Sequence, residues 1–367
     1  MNSNQLSASK SAPRFAPFLA LGVALLAACQ AAPKQGDFTV TNQIVLDVPQ
    51  GASNVRVWMA LPQNDAHQQI SNLRIDCPLT NRITTDSEGN RVLFVEANSP
   101  PAGKVTIATS FDLSRGEQRA DVDPRHTRAL NEEERARFAK ELAGNANVVL
   151  SQEVRDLASQ ILKGETNPVI ASQRLYDWML KNVDYWVKSP ADRRASPVGS
   201  SEYCLSTKTG NCTDFHSLYA ALSRSAGIPT RILYGSFLKK ELDGADVDQS
   251  YHCWIEFWAP EIGWIPLDVA VADIFVGDFN MTEANAELVR RTTAAGYTGP
   301  DPALVQYYFG NLEERRVLWS IGRDLELDPK PANGAINALP KAYVEIDGKP
   351  AAEKSAWTRK LTYRQLL

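Results

Sequence analysis

The stretch GNCTDFHSLYAALSRSAGIPTR, residues 210–231, sets a cysteine between a helix-capping asparagine and the clearest apolar stripe in the chain. Phe215, Leu218, Tyr219 and Leu222 recur at three- and four-residue spacing, which predicts a helix over 213–226. Asn211 suits the N-cap, Gly227 suits C′, and Pro229 two residues later blocks continuation. Cys212 therefore falls at or near the first helical position. A thiol there faces unpaired backbone N–H groups and the positive end of the helix dipole, and both favour thiolate over thiol. The competing reading is an inert packing cysteine, the common fate of a free thiol.

Partners decide between the two. In the strand-like YHCWIEFWAP (251–260), alternation puts His252, Trp254, Glu256 and Trp258 on one face and Cys253, Ile255 and Phe257 on an oily opposite face. The following GWIPLD (263–268) reads as a neighbouring strand carrying Asp268. Cysteine at a helix start, histidine on one strand and aspartate on the next supply a nucleophile, a base and a carboxylate that orients the base. His216 is expected to be a supporting or surface histidine, because its ring should run along its own helix. Cys204 and Cys253 read as packing thiols, and Asp214 as a carboxylate favoured by the helix dipole.

These blocks resemble, in order and spacing, the three core blocks of the transglutaminase-like superfamily, a papain-related group. His252 follows Cys212 by 40 positions (252 − 212) and Asp268 follows His252 by 16 (268 − 252). The resemblance implies an α+β core, helices first and an antiparallel sheet after, with Cys212 as nucleophile, His252 as base and Asp268 as orienting carboxylate. It also implies an upstream aromatic side chain at the oxyanion, for which Tyr185 and Trp186 are the candidates. Residues 176–185, and FGNLEERRVLWSIGRDLELDP at 309–329, are similar to segments of bacterial members. The calcium loops of cross-linking members are not found, the acidic stretch 241–248 being too irregular for a cation cage.

The rest of the chain sets the context. Its 367 residues suggest two domains, and a net charge of −4 offers no basic stripe for nucleic acid. Residues 1–29 read as a secretory leader: Lys10 and Arg14 precede the apolar run Phe15–Ala28, too short for a stable membrane anchor. The end of the leader, Leu26-Ala27-Ala28-Cys29, resembles a bacterial lipobox, which implies lipidation of Cys29 and anchoring to a membrane. Gln30 at the next position suggests the periplasmic face of the outer membrane. Residues 30–36 read as a tether, and 37–130 as an all-β sandwich of alternating Val, Ile and Phe between turn residues. The catalytic domain is placed at 131–345 and a C-terminal tail at 346–367.

Beyond Cys29, Cys77, Cys204, Cys212 and Cys253 are too few for a disulfide framework and contain no CxxC. No metal site and no cofactor are expected. The anticipated activity is acyl transfer or amide and peptide hydrolysis through a thioester, with hydrolysis preferred because water is abundant. The substrate class is a peptide, a protein or a small amide. The alternative is a non-catalytic binding or assembly module of the cell envelope.

Overall fold

Strict alternation of burial builds the first strand, Gln35–Val48, which turns Phe38, Val40, Ile44, Leu46 and Val48 inward. The computed structural model describes residues 32–191, 193–277, 282, 285, 286 and 297–366, so the expected leader and Cys29 lie outside the described residues. The strand includes Gln35 and Gly36, which pair with Gly116 and Arg115, so the expected tether is shorter by two residues. One sheet carries the strands in the order 357–365, 35–48, 103–116, 68–76; a second has the order 349–350, 342–346, 54–60, 91–98, 80–85. Ile44, Val57, Leu93, Val95 and Ile107 fill one core cluster of this β region.

The anticipated tail at 346–367 is a structural part of that domain. Strand Trp357–Gln365 pairs antiparallel with the first strand, from Leu46 opposite Trp357 to Phe38 opposite Gln365. Ala342–Ile346 pairs with Asn54–Ala60. Without these partners two long strands would present open edges. The inward positions Trp357, Arg359, Leu361 and Tyr363 alternate as the pairing requires.

Between these two halves of the sandwich lies the α+β unit. Its helices include Gln152–Leu162, Pro168–Asn182, Ser201–Thr207 and Cys212–Ser225. Ser151, Asn167, Ser200 and Asn211 cap them by accepting backbone N–H bonds, each worth about 1 kcal/mol. The Ser201–Thr207 helix, two turns long, is too short to show an apolar period in the sequence. Next comes an antiparallel sheet in the order 263–267, 251–259, 230–237, 316–321. Trp319 of its last strand meets Phe111 of the sandwich edge-on, with ring centroids 5.9 Å apart. This contact joins the sheet of the α+β unit to the core of the β region.

The Cys212–Ser225 helix is enclosed on all sides, every residue from Cys212 to Ser223 being buried. Two of its serines are matched within the core. Ser217 Oγ donates toward Thr213 O at 2.6 Å, and Ser223 Oγ lies 2.7 Å from Thr230 Oγ1. Gly227, at φ +78°, closes the helix in the left-handed region.

Candidate active site

The GNCTD motif is a folded unit in which each residue has a mechanical reason. Asn211 Oδ1 accepts from Thr213 N and Asp214 N, while Asp214 Oδ2 accepts from Asn211 N at 2.9 Å, a reciprocal capping box. Asp214 also accepts from Ser196 N at 3.0 Å and Ser200 N at 2.8 Å, which ties the preceding loop to the helix start. Its role is thus larger than the expected dipole contact. A Cβ on Gly210 would lie 2.4 Å from the Asp214 Cβ, so only glycine lets the two approach. Cys212 is fixed as the first helical residue.

A two-residue parallel pairing of 184–185 with 209–210 sets Tyr185 opposite Gly210. The Tyr185 hydroxyl consequently accepts the Cys212 backbone N–H at 3.2 Å. Of the two aromatic candidates, the fold brings Tyr185 to the cysteine; Trp186 packs at the edge of the helical core and makes none of the bonds described at Cys212.

His252 lies near the start of strand Tyr251–Ala259, its ring stacked on Phe237 at 4.5 Å and 21°. Its Nε2 lies 2.7 Å from Asp268 Oδ2, which leaves Nδ1 as the ring nitrogen available to the Cys212 sulfur. Asp268 sits one residue past the strand Gly263–Leu267 and caps the next helix, its Oδ1 accepting Val271 N at 3.1 Å. Cap geometry pins this carboxylate more firmly than a strand position would. Arg316 Nη1 donates to the same Oδ2 at 2.7 Å, and its guanidinium also lies over Phe237 and Trp254. Nothing in the sequence motif points to Arg316, which reaches the site from the 316–321 strand.

The electrostatics follow from burial and pairing. Hydrogen bonding from Cys253, and from His252 with its charge, holds the Cys212 thiol well below its usual range against burial. Burial opposes charge on His252, but the Asp268 carboxylate and the Cys212 sulfur push its pKa up to about 9. For Asp268 burial again opposes ionisation, and His252 and Arg316 hold it well below the ordinary carboxylate range. The favoured charge state is a thiolate beside an imidazolium, backed by a carboxylate.

Two expectations change. His216 is fully buried, and its ring crosses the helix–sheet interface. Nδ1 lies 3.4 Å from Cys253 Sγ, and Nε2 lies 3.5 Å from Asp268 Oδ1 without hydrogen-bond geometry. Cys253 faces this polar cluster, with Sγ 3.5 Å from Thr213 Oγ1, where an oily face was expected. Glu256 is buried and paired with Arg231 at 2.6 Å, away from the triad. Cys77, Cys204, Cys212 and Cys253 are all unpaired thiols.

A cleft of about 480 Å³ borders the site. Asn211 and Thr213, flanking Cys212, and Tyr251, preceding His252, line it together with Gly199, Lys341 and Trp357. Cys212 is 4% exposed and His252 1%, so the sulfur and the imidazole lie just behind this wall. Thr213 Oγ1 joins wall and site, 2.9 Å from the Tyr251 hydroxyl and 3.9 Å from Cys212 Sγ.

The profile of the Transglutaminase-like superfamily matches residues 155–269, the segment that contains all three of these residues. Residues 155–269 thus carry a transglutaminase-like domain. An uncharacterized protein of Haemophilus influenzae is 26% identical over 340 residues, covering 86% of each chain. A protein-glutamine gamma-glutamyltransferase of Pseudomonas aeruginosa is 29% identical over 120 residues, which are 31% of this chain and 17% of that protein. The crystal structure of a provisionally assigned cysteine protease from Cytophaga hutchinsonii overlays with a TM-score of 0.51 at 15% identity, covering 91% of this chain and all of that one. That likeness is one of fold and takes in the flanking β regions.

Proposed function

We propose that the protein is a cysteine-dependent acyl transferase or amide hydrolase working through a thioester on Cys212. The observation that carries the reading is the buried chain from a helix-start thiol through His252 to Asp268, the last two 2.7 Å apart. The thiolate attacks an amide carbonyl carbon, forming a C–S bond and an oxyanion. The C–N bond then breaks as His252 gives its proton to the departing amine. Neutral His252 next takes a proton from water or an incoming amine, whose attack breaks the C–S bond and restores the thiolate. Asp268 keeps the ring in the required tautomer throughout.

The Cys212 N–H is already engaged by Tyr185, whose own O–H donates to no described residue. That phenol is the donor we assign to the oxyanion, in a water-poor setting where one such donor is worth roughly 10²–10³ in rate. Substrates reach the sulfur from the cleft beside Thr213 and Tyr251; they are peptide, protein or small-amide carbonyls. Water as acceptor gives hydrolysis. The Pseudomonas relative's activity supports an amine acceptor as the second reading. The leader and the lipobox-like Cys29 support a cell-envelope location on a lipid anchor.

The test is intact-mass spectrometry of the protein incubated with glutamine-containing peptides and simple amides. The expected result is a hydroxylamine-labile adduct on Cys212, with release of ammonia or amine, both lost in Cys212→Ala. A folded protein that binds such peptides with neither adduct nor product favours the non-catalytic module.

A further inference from the structure

Cys253 and His216 are two buried, reactive groups that the proposed mechanism leaves unused. They are not ordinary core filling. The Cys253 sulfur lies 3.4 Å from His216 Nδ1 and 3.5 Å from Thr213 Oγ1. Thr213 Oγ1 is also within 3.9 Å of Cys212 Sγ, so both thiols converge on one hydroxyl. His216 in turn stands 3.5 Å from Asp268 Oδ1, the oxygen that His252 does not use. One carboxylate thus serves two imidazoles, and each imidazole faces a different cysteine.

We propose that Cys253 is a working part of the site, donating its S–H to the Cys212 thiolate, with His216 and Thr213 holding that thiol in place. The inference rests on Cys212 being the nucleophile. A donor aimed at a thiolate stabilises it selectively, because the bond weakens when the sulfur becomes a neutral thioester. The proton of Cys253 can then turn to His216 Nδ1 or Thr213 Oγ1 and return when the thiolate is regenerated. Cys253 touches the reacting sulfur. His216 holds Cys253 and also favours the Cys212 thiolate directly; it is a positioning residue.

The other groups around Cys212 are the same in every variant below. They are His252 on the strand that carries Cys253, Tyr185 on the 184–185 strand, and Tyr234 on the 230–237 strand. Asp214 on its own helix, Tyr251 and Asp268 complete the set. A shift common to all of these would therefore cancel in the comparison.

The experiment measures iodoacetamide alkylation of Cys212 across pH in the full chain, with mass mapping of the modified peptide. Variants are Cys253→Ala, Cys253→Ser, His216→Gln and the double Cys253→Ala, His216→Gln. In Cys253→Ala the midpoint should rise by about one pH unit, equivalent to a tenfold loss of thiolate at a fixed pH below the midpoint. Cys253→Ser, which restores a donor, should return the midpoint to the wild-type value or below it. His216→Gln should raise it more in the presence of Cys253 than in the Cys253→Ala background, where only its direct effect on Cys212 remains. An unshifted Cys253→Ala overturns the proposal, and so does an equal rise in alanine and serine variants, which would mark a packing role. If the alanine variant does not fold, Cys253→Ser decides alone, and a rise of a unit in it is contradictory. These results are separable from failure of the thioester mechanism, since Cys212 can remain the nucleophile while Cys253 proves idle.

Discussion

Arg316 Nη1 and His252 Nε2 converge on a single oxygen, Asp268 Oδ2, each at 2.7 Å, and all three side chains are buried. One carboxylate therefore answers two cations in a site with little water. Its negative charge is secured by Arg316 even when His252 is neutral, so the imidazole can pass its proton without Asp268 taking it. Arg316 comes from the strand after the matched core segment, which makes residues 316–321 part of the site.

Replacing Arg316 with methionine keeps much of the volume and removes the charge. It leaves Asp268 buried without its guanidinium partner, and loss of one partner from a buried pair costs about 3–5 kcal/mol. Urea unfolding should show a midpoint lowered accordingly with an unchanged slope. Activity should fall with it, since a carboxylate that protonates more easily holds His252 less well.

The pH dependence follows from the two directions of shift. Cys212 is depressed, so the thiolate forms early as pH rises; His252 is raised to about 9, so the imidazolium persists until then. The activity profile of kcat/KM should be a bell with its alkaline limb near pH 9. Stability carries the same sign. A histidine raised from 6.5 contributes fully below about pH 6.5 and loses that contribution as pH rises through about 9. Thermal melts of wild type and His252→Gln should converge on the alkaline side.

Tyr185→Phe deletes both the acceptor of the Cys212 N–H and the proposed oxyanion donor. The lost donor should lower kcat by roughly 10²–10³ with little change in KM. Alkylation of Cys212 should persist, because the thiolate–imidazolium pair does not depend on the phenol. A matched fall in kcat and alkylation would show instead that Tyr185 supports the helix start.

Asp214 accepts three backbone N–H bonds from Ser196, Ser200 and Asn211. Hydrogen bonds to a charged group contribute about 1.5–3 kcal/mol each, and not additively. Asp214→Ala should therefore destabilise by several times the dipole effect alone and free the 196–200 loop that borders the cleft. Hydrogen exchange at Ser196 and Ser200 is the direct readout, expected to accelerate sharply. Gly210→Ala should act on the same unit through overpacking, at about 1–3 kcal/mol.

Much of this was legible in the sequence, for identifiable reasons. The capped helix at 212–225 and the paired strands at 230–237 and 251–259 announce themselves through local periodicity and punctuation. Cys212, His252 and Asp268 followed from placing those elements side by side. The misreadings came where the deciding contact is remote. Trp357–Gln365 looked like a tail because its partner, Gln35–Val48, is some 300 residues earlier, although its own alternation of Trp357, Arg359, Leu361 and Tyr363 was a usable signal. Cys253 seemed to belong to an oily face because alternation gives sides without saying what packs there, and the helix that packs there brings His216 and Thr213. Arg316 and the extra bonds of Asp214 depend on tertiary placement that no local pattern encodes.

The central claim is that the Cys212 sulfur rests as a thiolate beside protonated His252. Its most direct test is the rate of Cys212 carboxymethylation as a function of pH in the folded wild-type protein and in His252→Ala. The account predicts a half-maximal rate well below pH 8 in wild type and a shift toward the ordinary thiol range of about 8.5 in the variant. A wild-type midpoint at or above 8.5, or one that His252→Ala leaves in place, would contradict it.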